Sequence, residues 1–260
     1  MNPLDLVNLP GLMGRTYGSP EIKIGLIDGP VVTKHTDLSG ADFVEIVANN
    51  GARCTKANSI ACIHGTFIAG ILSANRNSPA PAICPNCIVI VRPIFNEMTS
   101  GSVQMPSATS QELAMAITDC INAGVRIINL SLAVIQPWSK GEQALEEALN
   151  HAMKSGVIIV AAAGNQGVIG SSVITRHPWI IPVVACDLQG MPTSESNLGS
   201  SIGRRGLSAP GDNIVSLGVE GNPITLSGTS VAVPFLTGAI ALLWSEFISA
   251  TATQIKYAIA

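Results

Sequence analysis

Six short runs in this sequence are apolar at nearly every position: residues 22–27, 43–47, 88–92, 125–130, 157–162 and 180–185. A strand with one wet face alternates apolar and polar side chains, whereas a strand covered on both faces need not. Runs of this length, rich in Ile and Val, therefore predict strands of a parallel sheet. Between them lie helical patterns over 64–74, 110–123, 142–155 and 230–247. The third is the clearest. Leu145, Ala148, Leu149, Ala152 and Met153 recur on one stripe, Glu142, Glu146 and Glu147 stand early, Lys154 stands late, and Gly156 follows as a stop. Strand and helix alternate, which predicts an α/β fold: a doubly wound, mainly parallel sheet flanked by helices on both faces. With 260 residues, no internal repeat and no linker, one domain over 1–260 is expected, residues 1–21 being an N-terminal extension packed on it. Residues 96–108 and 187–206 read as polar loops rich in Gly and Ser.

Composition excludes several classes. The chain is 47 % apolar and only 12 % charged, with a net charge of −3. Disorder needs the opposite balance. A nucleic-acid partner is not expected, because no run of Lys and Arg is present to meet phosphates. No membrane partner is expected either. The longest apolar stretch, 231–244, is interrupted by Pro234, Thr237 and Gly238, and a span needs about 20 apolar residues. The start, Met1-Asn2-Pro3-Leu4-Asp5, lacks a basic region followed by an apolar one. A cytoplasmic location is the resulting expectation, with secretion left open if this start is not the native one.

In an open α/β sheet, ligands bind beyond the carboxyl ends of the strands. Asp28 follows the run Ile24-Gly25-Leu26-Ile27, and Asn165 follows Val160-Ala161-Ala162-Ala163-Gly164. His64 and Ser230 each open a helical pattern. Singly, each of these is commonplace as a cap or turn residue. Together they form a set able to transfer an acyl group. Serine needs a base to remove its proton, and histidine does this near neutral pH. An aspartate holds the imidazole tautomer and stabilises the imidazolium. An amide side chain with the serine N–H can hold a tetrahedral oxyanion.

The blocks Leu26-Ile27-Asp28-Gly29, His64-Gly65-Thr66 and Gly228-Thr229-Ser230, the last followed by Ala232 and Pro234, resemble those of the subtilisin-like serine proteases, the subtilase family. So do Ala161-Ala162-Ala163-Gly164-Asn165, Ile128-Asn129-Leu130-Ser131-Leu132 and Leu207-Ser208-Ala209-Pro210-Gly211. The resemblance implies a subtilisin-like sandwich and a serine endopeptidase acting through an acyl-enzyme. It implies the triad Asp28, His64 and Ser230, with Asn165 at the oxyanion. It also implies that a peptide substrate binds as an added β-strand. Its walls would be Ser131, Leu132 and Ala133 on one side and the edge around Ser107 and Ser110 on the other, with Ala163 and Gly164 also in contact. No cofactor and no metal are expected, since residues 73–85 lack the Asn-rich loop that holds the family's main calcium ion. Asp37 matches one calcium-ligand position, though a turn role is favoured.

This sequence departs from the family pattern at Ala133, where Gly is usual, at Phe67, and at Val231 and Phe235 beside the nucleophile. None of these removes a catalytic group. The Asp28-Gly29-Pro30-Val31 turn, the Met start and the cysteine content are similar to the cyanobactin-maturation subtilases, which process ribosomal precursor peptides. The macrocyclising branch carries a helical insert, and the region 92–110 has room only for a polar loop. A hydrolase is therefore expected. The alternatives are a transpeptidase using the same acyl-enzyme, a peptide-binding pseudoprotease, or a thiol-redox protein.

The redox reading arises from six cysteines: Cys54, Cys62, Cys84, Cys87, Cys120 and Cys186. Cys84-Pro85-Asn86-Cys87 is a lone CxxC with no second half for a structural zinc site. The strand at 88–92 runs toward the active-site end and the helix at 110–123 returns antiparallel. This ordering predicts that Cys120 pairs with Cys84 or Cys87. Cys54 and Cys62 are candidates for a second bridge, and Cys186 is expected to remain a buried thiol. Full reduction of all six is the competing expectation.

Overall fold

The computed structural model describes residues 2–46, 53–56, 59–95, 108–132 and 141–259. Two short helices, α1 (Pro3–Leu6) and α2 (Leu9–Met13), precede the first strand, β1 (Lys23–Asp28). There follow β2 (Phe43–Glu45), α3 (Ile60–Ser73), β3 (Ile88–Pro93), α4 (Ser110–Asn122), β4 (Ile127–Leu130), α5 (Glu142–Lys154) and β5 (Ile158–Ala162). Next come α6 (Val173–Arg176), β6 (Ile181–Cys186), α7 (Ser200–Arg205) and β7 (Leu207–Pro210). The chain ends with β8 (Ile214–Leu217), β9 (Pro223–Leu226), α8 (Thr229–Glu246) and α9 (Ala252–Ile259).

Seven strands pair in parallel in the order β2-β3-β1-β4-β5-β6-β7. The uninterrupted apolar runs have the predicted cause. One core joins α3 and α8 to the sheet through Ile24, Leu26, Phe67, Ile71, Val183 and Leu242. A second joins α4 and α5 through Ile27, Ile128, Leu130, Leu145, Leu149 and Ile159. Ile24 and Ile27 thus face opposite layers from the same strand, and both are fully buried. Strand order reverses at β1: β3 and the edge strand β2 lie on one side of it, and β4 to β7 follow on the other. A crevice forms at such a reversal, at the carboxyl end of the strand. Asp28 is the last residue of β1.

Several boundaries differ from expectation. α3 begins at Ile60, four residues before His64, because the Ser59 hydroxyl caps it by accepting from the Cys62 N–H. His64 therefore sits inside the second turn. β2 ends at Glu45, and position 47 lies outside the described residues. Part of the expected loop at 187–206 is the helix α7. The edge strand β7 and the antiparallel pair β8–β9 were not anticipated. They span four residues each, and β7 and β9 contain Pro210 and Pro223, so they are too short for a periodic signal. α8 is long and apolar enough for a membrane by composition, but 72 % of its apolar window is buried against the sheet and its neighbours.

The cysteine pairing is corrected at one point and supported at another. Cys84, Cys87 and Cys120 are all unbridged. Cys84 and Cys87 lie in the α3/α8 core, whereas Cys120 lies in the α4/α5 core. A methyl placed on Gly25 of β1 would come within 2.9 Å of the Cys120 Sγ, so the sheet itself separates the two groups. Chain direction alone does not tell which face a returning helix covers, and that produced the error. Cys54 and Cys62 are bridged, with Cα atoms 5.6 Å apart, and Cys186 is a buried free thiol. The redox reading needed an exposed thiol. Cys84 and Cys87 are both fully buried, although a hydrogen bond from Cys84 holds the Cys87 thiol below its ordinary value.

A reductant unable to enter the core should therefore open one bridge. Alkylation after mild phosphine treatment is expected to modify Cys54, the half-buried member of the bridge, and to spare Cys84, Cys87, Cys120 and Cys186. Closing a loop of eight residues contributes about 2.5 kcal/mol by chain entropy, so unfolding should move to lower denaturant. Peptide mapping that found Cys120 linked to Cys84 or Cys87 would contradict this assignment.

Candidate active site

The turn after β1 and the second turn of α3 meet backbone to backbone. A Cβ on Gly29 would stand 1.9 Å from the Ala61 carbonyl oxygen, and one on Gly65 would stand 2.5 Å from that of Gly29. No side chain fits at either position, so Asp28-Gly29 and His64-Gly65 each require glycine second. Thr66 secures the approach by accepting a hydrogen bond from the Val32 N–H at 3.0 Å. The result is a distance of 2.7 Å between Asp28 Oδ1 and His64 Nδ1. His64 Nε2 lies 3.0 Å from Ser230 Oγ. The three expected residues thus form a continuous relay from three separate elements.

Burial sets its electrostatics. Asp28 has no exposed surface, and His64 is 8 % exposed. Asp28 Oδ1 also accepts from the Gly29 N–H at 2.6 Å, while Oδ2 has no partner among the described residues. Burial alone disfavours a charged imidazole. The adjacent Asp28, through its charge and its hydrogen bond, outweighs burial and holds His64 above its ordinary value. An imidazolium formed here during reaction is therefore stabilised where it arises.

Ser230 is the second residue of α8, whose cap is Gly228. Inside that helix Pro234 lacks the N–H that would normally bond to the Ser230 carbonyl. Ser131 supplies the replacement, its hydroxyl donating to that carbonyl at 2.9 Å. The Asn129 amide donates to Ser131 at 2.7 Å and accepts from the Thr237 hydroxyl at 2.9 Å. Ser131 is expected to pair with substrate through its backbone; its buried side chain fastens the nucleophile's backbone. Asn129, inside a block that resembles the family, and Thr237, within the apolar stretch, are given no role by the sequence; the uncompensated Pro234 was the available signal.

Asn165 is exposed at the end of β5. Its Oδ1 accepts from both the Thr229 N–H and the Thr229 hydroxyl, each at 2.8 Å. The Thr229 N–H can only donate, so the amide oxygen must face it and the NH₂ must face away. That NH₂ makes no hydrogen bond among the described residues, and neither does the Ser230 N–H. Two free donors beside Ser230 are the arrangement an oxyanion requires. The loop is held by Asn197, another residue missed in the sequence. Its Nδ2 donates to the Ala163 carbonyl at 3.2 Å, and its Oδ1 accepts from the Gln166 and Val168 N–H groups at 3.0 and 3.2 Å.

The remaining expected contacts divide. Gly164 adopts a positive φ of 107° and donates to the Thr229 hydroxyl at 3.2 Å. Ala163 is buried against Val184 and Ile202, and Leu132 packs against the α4/α5 core. Ser110 is buried in the first turn of α4. Ala133 and Ser107 lie outside the described residues, as does most of the segment expected to distinguish hydrolase from macrocyclase. Among the described residues no group of three or more His, Cys, Asp or Glu is arranged to hold a metal.

Residues 19–260 match the family model described as the subtilase family. The chain is 30 % identical to subtilisin DY of Bacillus licheniformis, over 97 % of this chain and 87 % of that protein. It superposes on a mutant of the protease domain of PatA with a TM-score of 0.84 at 30 % identity, covering 93 % of this chain and 86 % of that one. For the prenylagaramide maturation protease PagA the TM-score is 0.83 at 31 % identity, covering 96 % and 86 %. Fold and sequence thus agree with the relay at the carboxyl end of β1, and the chain belongs to the subtilase family of serine endopeptidases.

Proposed function

We propose that this protein cleaves peptide bonds by nucleophilic attack of Ser230 and that its substrate is a precursor peptide trimmed during maturation. The observation that carries the chemistry is the unbroken relay from Asp28 through His64 to Ser230, at 2.7 and 3.0 Å. His64 Nε2 takes the Ser230 proton as Oγ bonds to the scissile carbonyl carbon. The carbonyl oxygen becomes an oxyanion between the Asn165 NH₂ and the Ser230 N–H. The C–N bond then breaks, His64 returns the proton to the leaving amine, and an acyl-enzyme remains. Water, activated by the same imidazole, releases the acid. The peptide lies extended across the crevice as an added strand. Similarity to PatA and PagA, the latter described as a maturation protease, supports the choice of a precursor peptide.

A fluorophosphonate should label Ser230, and digestion of a peptide library should give cleavage with a defined preference. Absence of labelling would favour a peptide-binding pseudoprotease. Transfer of the acyl group to an added amine in preference to water would favour transpeptidation.

Asn165→Ala is expected to lower kcat by roughly a hundredfold to a thousandfold with little change in KM. Its NH₂ meets charge that exists only in the transition state. Steady-state kinetics on one peptide decide the point, and an unchanged kcat would leave the oxyanion to the backbone alone.

A further inference from the structure

At the opposite end of the sheet, where β6 and β7 begin, lies a cleft of about 510 Å³, within the range of ligand-binding pockets. Its apolar lining includes Trp179, Leu207, Tyr257 and Ile259, and its charged lining includes Arg204 and Lys256. Three distant segments, around 179, 204 and 256, contribute to it. No Asp or Glu stands among its described lining residues.

The cations differ in how they are committed. Arg205, which also lines the cleft, is spent on the fold, donating to the carbonyls of His177 at 2.6 Å, Thr175 at 3.1 Å, Arg176 at 3.2 Å and Ile180 at 3.4 Å. Lys256 donates to the Trp179 carbonyl, and its Nζ lies 4.1 Å from the centre of the Trp179 ring. Neither Arg204 nor Lys256 forms an ion pair among the described residues. Burial, with Arg205 nearby, lowers Lys256 to about 8, as expected for a desolvated cation without a counterion. Arg204 is exposed, and Tyr257 keeps 79 % of its surface in solvent. Unneutralised positive charge beside exposed aromatic surface, on a chain whose net charge is −3, is complementary to an anion carrying an apolar body.

We infer that this cleft is an exosite for an acidic peptide segment, a carboxylate meeting Arg204 and Lys256 while an adjacent apolar side chain packs on Trp179 and Tyr257. The inference rests on the reading of the protein as a peptidase. The sheet is parallel, so the cleft and the crevice at Asp28 are separated by at least one strand length. For the six residues of β6 that is about 20 Å. A peptide occupying both sites must therefore extend at least about six residues beyond the scissile bond. Such a peptide would gain effective concentration at Ser230, whereas a short one would not.

Binding can be measured apart from catalysis, using the Ser230→Ala protein and a fluorescein-labelled hexapeptide, Glu-Phe-Asp-Leu-Glu-Leu, by fluorescence anisotropy. Arg204→Glu, an exposed change that leaves Tm in place, is expected to weaken binding about fivefold or more, and Lys256→Gln similarly. The isosteric neutral peptide, Gln-Phe-Asn-Leu-Gln-Leu, should bind correspondingly weakly, and added salt should weaken the acidic one. Equal binding of the two peptides, or indifference to both substitutions, would overturn the exosite. Displacement of the acidic peptide by an equal concentration of inorganic phosphate would also overturn it, reducing the cleft to a site for small anions. None of these outcomes depends on Ser230 reacting, so failure here is distinct from failure of the proposed activity.

Discussion

Ser230→Ala is expected to remove peptide hydrolysis while leaving the fold intact. In the proposed reaction this hydroxyl bonds the substrate carbon, and among the described residues His64 Nε2 faces no other nucleophile. Loss of the serine in such triads costs on the order of a millionfold in kcat. Stability should barely change. Gly228 is the cap of α8 and Ser230 is already within the helix, where alanine is at least as favourable. The backbone carbonyl that Ser131 holds is unaffected by the side-chain change. A quenched fluorescent peptide and a thermal melt check both halves. Residual turnover above about a thousandth of wild type, with the melt unchanged, would point to another nucleophile.

Asp28→Asn should act on rate and on pH dependence together. Activity requires neutral His64 as the base, so it falls as pH drops through the imidazole pKa. Asp28 raises that pKa above its ordinary value, which is about 6.5. The wild-type acid limb should therefore have its midpoint above about 6.5. An asparagine of the same shape removes the charge and leaves burial, the opposing influence, in control. The midpoint should then move down, below the ordinary value. It also offers Nδ1 an amide that no longer specifies the reactive tautomer, for which a fall of about ten-thousandfold is expected. The kcat/KM profile from pH 4 to 9 measures both effects. A midpoint that stayed in place would show that Asp28 does not control the imidazole.

Much of the site was readable in the sequence because its parts are local. Asp28 ends an apolar run, glycine follows both Asp28 and His64, and Asn165 closes another run. Each residue type is a short-range signal, since strand ends and helix starts are made within a few residues; the close approach of Gly29 to Ala61 and of Gly65 to Gly29 joins segments more than 30 positions apart and was not readable in the same way. The parallel sheet was readable for the same reason: burial on both faces leaves a run of Ile and Val without alternation.

What the chain lost in one dimension was the choice of face and of distant partner. Cys120 and the Cys84–Cys87 turn occupy opposite cores because α4 covers the side of the sheet that α3 does not. Periodicity reports that a residue is buried, not against which layer. Ser131 became a support for the nucleophile only because β4 ends beside the carbonyl that Pro234 leaves unbonded, 99 residues further along. Asn197 holds the Asn165 loop from 32 positions away by the same kind of closure, and Arg204 and Lys256 share a cleft though 52 positions separate them. The sequence by itself determined which residues could react and which runs would be buried, since both depend on neighbours along the chain. Tertiary structure decided how the nucleophile is braced, where the thiols lie and which cations converge, because hydrogen bonds and charges act across space whatever the separation in sequence.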